Sequence, residues 1–197
     1  MILQSHNSWS YAKPKHWWLR PFAFMARCQR VDIYRQYELG VRSFDLRVRF
    51  KKDGTMQVAH GFMVYDVSLS DLQKDLAYLN AMGCTLRILH EARNRGQYTK
   101  DNIEHFRRFC ELIEATYTNL WCYCGRNLYN WAVDYEFKYT PIEVERYSSV
   151  MAPKLIDDWY PLLYAKKNNK KILSENIEIL SENIDSDILS IDFVDIQ

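Results

Sequence analysis

Apolar and polar positions along this chain fall into short runs that switch between two periods. Ile2-Leu3 opens directly onto the polar cluster Gln4 to Ser10, the pattern of a buried strand ending in a functional loop. Residues 14 to 27 are aromatic and basic, broken by Pro14 and Pro21, and Arg30 to Leu39 fits a helix stopped by Gly40. From Val41 to Phe50 the period is two: Ser43, Asp45, Arg47 and Arg49 share one face, and Phe44, Leu46, Val48 and Phe50 the other. Asp53-Gly54 is a strong turn signal, after which Met56 to Ala59 resumes as a strand that delivers His60-Gly61. Ser70-Asp-Leu-Gln73 has the form of a capping box, and Leu69, Leu72, Leu76 and Leu79 recur at helical spacing until Gly83. Thr85 to Leu89 is the next strand and runs into His90-Glu91, while Ile103, Phe106, Cys110 and Ile113 mark the core face of a following helix. Leu120 to Cys124 and Val133 to Lys138 are further strand candidates. Residues 172 to 184 duplicate Ile-Leu-Ser-Glu-Asn-Ile along one helical face. Asp185 to Asp187 breaks that helix, and Ile188 to Ile196 follows as a strand carrying Asp192 and Asp195.

Alternating strands and helices predict an α/β fold, and a closed, mostly parallel sheet points to a TIM-type barrel. Roughly 200 residues is the lower edge for that architecture, so the expectation is a compact, distorted (β/α) barrel with some helices missing, spanning 1–197 as a single domain. Composition changes this picture little. The formal net charge of +1 leaves no global field to draw the chain to nucleic acid, so any anionic ligand must be held by local charge. Five cysteines form an odd set without the C-x-x-C spacing of a zinc site. The N-terminal residues carry neither a basic leader nor an apolar run of signal-peptide length, and no segment is apolar enough to span a bilayer. The expected location is therefore cytoplasmic, unless a leader has been trimmed.

The polar face of the strand around Asp45 asks for a chemical explanation. Cleaving a phosphodiester requires deprotonating an attacking hydroxyl, neutralising charge on the phosphate oxygens and protonating the leaving oxygen. Two histidines, His6 and His60, with Arg47 between them supply that minimum. If Asp53-Gly54 turns the chain tightly, residues whose numbers sum to about 107 oppose one another, and His60 faces Arg47. Asp45 shares the face of Arg47 and is placed to accept a ring proton of His60, although an ordinary surface ion pair with Arg47 would read the same way in sequence.

Ser-His6-Asn7-Ser, Gln36 with Leu39-Gly40-Val41-Arg42-Ser-Phe-Asp45-Leu-Arg47, Asp53-Gly54 with Ala59-His60-Gly61, and Ser-Ile-Asp192-Phe together resemble the bacterial phosphatidylinositol-specific phospholipase C family. Order and spacing match from near residue 5 to about residue 80, with one further anchor at Asp192. The resemblance implies a distorted TIM-type barrel. It also implies that His6, paired with Asp192, is the general base for an inositol hydroxyl, and that His60, paired with Asp45, is the general acid for the leaving oxygen. Arg47 would contact the phosphate where a calcium ion sits in the eukaryotic relatives. A cyclic inositol phosphate is the first product so implied, and neither cofactor nor metal is called for. Family members are often secreted. They commonly have Gly-Thr-His-Asp where this chain has Gln4-Ser5-His6-Asn7, so an amide, Asn7, stands in place of a carboxylate.

Substrate contacts in the family come from later strands. His90, Glu91, Arg93, Arg126, Asp134 and Glu136 are positional candidates here, with a buried, satisfied pair the equal alternative for His90-Glu91. Trp17-Trp18, with Lys13, Lys15 and Arg20, has the composition of a patch that meets a phospholipid surface, and core packing explains the tryptophans as well. Two other functions remain open: a metal-dependent glycerophosphodiester phosphodiesterase, for which Arg47 stands where a metal ligand is needed, and a barrel that binds inositol phosphate without turning it over.

Overall fold

The computed structural model describes residues 2–91, 98–125, 135–138, 146–150, 161–180 and 187–196. Six strands run parallel: β1 (Ile2–Ser5), β2 (Ser43–Phe50), β5 (Thr85–His90), β6 (Trp121–Cys124), β7 (Arg146–Val150) and β8 (Asp187–Ile191). Their order across the sheet is β7-β8-β1-β2-β5-β6, and the short antiparallel strands β3 (Met56–His60) and β4 (Met63–Val64) continue from β2. This is a distorted TIM-type barrel. Among the described residues no ladder joins β6 to β7, so the sheet is not closed as the sequence pattern predicts.

β2 is the spine of the sheet. All eight of its residues are buried, because β5 pairs with it from Ser43 to Val48 on one edge while β1, and then β3, pair on the other. Phe44, Leu46 and Val48 turn into the main apolar core with Leu72, Leu76, Leu79, Leu86, Ile88 and Phe106. Each such side chain contributes about 1.5–3 kcal/mol relative to its exposed form, and truncating one to alanine costs about 2–5 kcal/mol. The alternating face, Ser43, Asp45, Arg47 and Arg49, is equally buried, and its charges are satisfied by one another and by the strand ends.

Four α-helices are described: α1 (Ile33–Glu38), α2 (Leu69–Ala81), α3 (Lys100–Thr116) and α4 (Pro161–Leu180). The cap of α2 is Ser68, whose hydroxyl accepts from Asp71 N at 3.0 Å, so the helix starts two residues before the predicted Ser70 box. Ser68-Leu-Ser-Asp71 satisfies the same pattern, and Leu69 consequently falls in the first turn and is exposed. Phe106, Cys110 and Ile113 are the buried face of α3, as their spacing predicts. Tyr135 to Lys138 is not strand. Tyr135 Oη donates to Glu114 at 2.8 Å and Lys138 N donates to the same carboxylate, which fixes this stretch against the end of α3 instead. The final strand stops at Ile191, leaving Asp192 just beyond it rather than within it.

The segment Trp17–Met25 forms 3-10 turns around Pro21. Trp17 is 72% and Trp18 55% exposed, which excludes the core-packing reading of these tryptophans. No described helix is long and apolar enough to cross a membrane.

Candidate active site

Strand ends bring the site together. His6 follows β1 directly, and its N–H donates to Ile191 O at 2.9 Å, which continues the β1–β8 ladder by one residue and sets Asp192 beside it. His6 Nδ1 lies 2.7 Å from Asp192 Oδ1, with both residues buried. On the other side of the ring, Arg47 Nη2 is 2.6 Å from His6 Nε2. A guanidinium only donates, so Nε2 must carry the lone pair and Nδ1 the proton, which His6 then donates to Asp192.

The backbone is bent hard on both sides of this pair. Among the described residues, Asn7, after His6, and Phe193, after Asp192, are the two non-glycine residues with positive φ, at 46° and 50°. A bulky residue such as Phe193 resists that conformation, and it is held by its N–H donating to Cys28 O at 2.6 Å. Gln29 ties the same corner: its Nε2 donates to His6 O and Ile191 O at 3.1 and 3.0 Å, while its Oε1 accepts from Val194 N. Asn169 on α4 donates to Asp192 O at 2.7 Å.

Asp45 does not meet His60. Its carboxylate accepts from Arg47 Nε at 2.9 Å, Arg87 Nη1 at 3.0 Å and Asn7 N at 3.0 Å, which uses its capacity on two cations and the bend after His6. Burial alone would raise the Asp45 carboxyl, but Arg47 and Arg87 outweigh it and hold the group well below the usual carboxylate range.

His60 instead points its Nδ1 at Ala26 O, 3.0 Å away, with Cys28 Sγ at 3.8 Å. The reason lies in the register. Val48 pairs with Val58 and Phe50 with Met56, one residue short of the predicted alignment, and pairing with β2 stops there. His60 lies beyond the paired stretch, where Gly61 turns the chain into β4, and its ring approaches His6 edge-on with centroids 5.6 Å apart and planes at 88°. Burial, then the positive charge of Arg47, pushes the His60 imidazole down to about 4, with Glu91 opposing. Glu91 is a bracket: Oε1 accepts from Gly61 N at 2.9 Å and Oε2 lies 3.6 Å from Arg47 Nη1.

The remaining candidates divide. Asn7 sits at the site with both polar atoms of its amide buried, beside the Tyr65 hydroxyl, which donates to Ala26 O at 2.6 Å. His90 is turned away, stacked on Phe106 at 5.2 Å between the sheet and α3, because on β5 it alternates with the inward-facing Arg87. Glu136 is exposed and lies between Tyr135 and Phe137, which pack near the C-terminal end of α3, the end opposite the histidines. Arg93, Arg126 and Asp134 lie outside the described residues. Arg87, Cys28 and Gln29 are site residues that the sequence reading passes over. Arg87 carries a signal, a lone charge inside an apolar strand, whereas Cys28 and Gln29 lie in a loop with no periodicity to mark them.

No protein-family model matches this sequence, and no curated protein matches it. Solved structures do. Phosphatidylinositol-specific phospholipase C from Listeria monocytogenes aligns over 98% of this chain and 87% of its own, with a TM-score of 0.63 and 15% identity. The chain has the bacterial phosphatidylinositol-specific phospholipase C fold. Two variants of the Staphylococcus aureus phospholipase C agree, a single substitution with a TM-score of 0.64 at 15% identity and a double substitution with 0.62 at 18%. Each covers 98% of this chain and 84% of its own. At these identities the shared property is the phospholipase C fold itself, and the chemistry must be argued from the side chains.

Proposed function

We propose that this protein is a metal-independent phosphodiesterase that cleaves phosphatidylinositol or a closely related phosphodiester. The observation that carries the reading is the chain of contacts Asp192–His6–Arg47, with the ring of His60 5.6 Å from that of His6. The fold shared with the phosphatidylinositol-specific enzymes supports the substrate class.

In this reading an incoming phosphate draws Arg47 off His6, since a phosphate oxygen is the stronger partner for a guanidinium. The freed His6 Nε2 takes the proton of the substrate's own hydroxyl, and Asp192 stabilises the imidazolium so formed. The hydroxyl oxygen bonds to phosphorus, the bond from phosphorus to the glycerol oxygen breaks, and His60 hands a proton to that oxygen. The product is a cyclic phosphate, which water opens by the reverse proton transfers. Phosphate charge beside Arg47 offsets the influence that keeps His60 neutral in the free protein, so His60 takes up a proton from solvent as the substrate binds and carries it to the leaving oxygen. Arg47 itself stays aligned through Asp45 and Glu91.

Access to a lipid substrate is supported by the aromatic segment that leads into Ala26. Trp17, Trp18, Phe22 and Phe24 are exposed there, with Lys13, Lys15 and Arg20 alongside. Indole rings enter the headgroup region and lysines meet anionic lipid. The test is turnover of phosphatidylinositol vesicles in the presence of chelator, with phosphorus NMR to identify the product. Formation of a cyclic inositol phosphate is expected. Vesicle binding without turnover would overturn the reading in favour of a binding barrel, and turnover only on adding calcium or magnesium would favour a metal-dependent phosphodiesterase.

A further inference from the structure

Cys28 has no part in the reaction above, yet it stands among the groups that do. One ring nitrogen of His6, one of His60 and the Cys28 sulfur all lie within 4.8 Å of one another. In tetrahedral zinc, with Zn–S about 2.3 Å and Zn–N about 2.0–2.1 Å, ligand atoms are about 3.3–3.6 Å apart. Cys28 Sγ and His60 Nδ1 are already at 3.8 Å, and the widest separation has to close by at most about 1.5 Å to reach zinc geometry.

The positions are built rather than accidental. Cys28 N donates to Ser10 Oγ at 2.9 Å and Cys28 O accepts from Phe193 N at 2.6 Å, so the cysteine backbone is fixed from both sides. His6 donates to Asp192, the carboxylate–histidine arrangement that orients metal-binding imidazoles and strengthens them as ligands. His60 is only half-buried, which leaves a side open for entry and for a fourth ligand such as water. Two imidazoles and a thiolate favour soft or borderline cations over calcium and magnesium.

We propose that His6, Cys28 and His60 form a binding site for a thiophilic divalent cation, with Zn²⁺ as its type, and that the bound ion inhibits the enzyme by occupying both histidines. The binding half of this inference stands on the side chains alone, and the inhibitory half rests on the phosphodiesterase reading. Binding expels the Cys28 thiol proton to solvent, leaving the thiolate as ligand. Arg47 yields His6 Nε2 to the ion and keeps its two carboxylates, Asp45 at 2.9 Å and Glu91 at 3.6 Å, while His60 gives up its hydrogen bond to Ala26 O and shifts its ring proton to Nε2 so that Nδ1 can ligate. The thiolate and Asp192 balance the ion's charge beside it.

Titrating the metal-free full chain with Co²⁺, followed by the thiolate-to-cobalt absorption band and then by competition with Zn²⁺, tests the site directly. One equivalent is expected. Cys28→Ser and, separately, His60→Gln should weaken it at least about 100-fold, since even outer partners of metal ligands are worth 10–100-fold. Cys110, Cys122 and Cys124 remain in both variants, so an equivalent that persists unweakened in them lies elsewhere and overturns the site. If one variant does not fold, the other gives the same answer. Saturating Zn²⁺ should lower vesicle turnover at least tenfold, with chelator restoring it; turnover unchanged on a zinc-loaded site would overturn the inhibitory half. Metal-free protein with no turnover at all counts against the phosphodiesterase reading and leaves the cobalt result standing.

Discussion

The two histidines of the site are held in opposite ways. His6 sits where β1 and β8 end together, with a carboxylate on one nitrogen, a guanidinium on the other and Gln29 clamping its carbonyl. His60 rides on the β3–β4 hairpin past the last residue paired with β2, and its Nδ1 meets a backbone carbonyl. The difference teaches that the strand junction fixes His6, the proposed base, in one tautomer and one direction. His60, the proposed acid, is placed by a corner whose geometry depends on Glu91 and Gly61.

Removing the ring at the fixed end should have the largest effect. His6→Ala is expected to lower turnover about 10³–10⁴-fold, the upper range for general acid–base catalysis, with the fold retained by circular dichroism. Turnover within tenfold of the parent would break the comparison outright.

At the hairpin end the comparison is sharpened by pH. The folded His60 titrates near 4 against about 6.5 when unfolded, so between those values the unfolded chain binds more protons. Stability from this group is therefore complete above about pH 6.5 and is lost as pH falls toward 4. The span is up to about 3 kcal/mol. Urea unfolding in chelator should show that slope, and His60→Gln should flatten it; an unchanged slope would mean His60 is not the group responsible.

Asp192→Asn should cost about 100-fold in turnover, because the amide offers His6 Nδ1–H a weaker acceptor and loses the charge that stabilises the imidazolium. A pH–rate profile shifted on its acidic limb would separate this positioning effect from simple loss of protein. No equivalent substitution exists for His60, whose partner is backbone.

The smallest effect is expected at the corner itself. Gly61 has φ 55° and open space where a Cβ would go. Gly61→Ala should therefore cost only the left-handed strain, about 1–2 kcal/mol, seen as a lower urea midpoint. Turnover is expected to fall by less than the Asp192 variant loses.

Much of this was legible in the sequence because it depended on period and position. The alternation from Ser43 to Phe50 placed Asp45 and Arg47 on the buried polar face, and a polar cluster directly after Ile2-Leu3 placed His6 at a strand end. What the sequence did not reveal depended on tertiary choices of small energy difference. A one-residue register offset in the β2–β3 ladder removed the Asp45–His60 pair, and Arg87, set directly across from Asp45 by the β2–β5 pairing though 42 positions away in sequence, took the free carboxylate oxygen. His90 lies in the core because strand parity assigned the inward position to Arg87. Two overlapping capping patterns at Ser68 and Ser70 differed only in which first turn suits the sheet. Cys28 belongs to a loop whose path is set by Ser10 and Phe193, residues 18 and 165 positions away.

The junction of β1 with β8 also has a consequence in time. His6 and Asp192 are 186 positions apart in sequence, so their contact closes nearly the longest loop the described chain contains and carries its full entropic cost. Contacts of that separation form late in folding, after local hairpins and helices. A chain still being synthesised, or one whose last strand has come away, holds His60, Arg47 and Asp45 but no oriented base. Activity would then appear only once β8 has paired with β1, and it would be the first property lost when those two strands part.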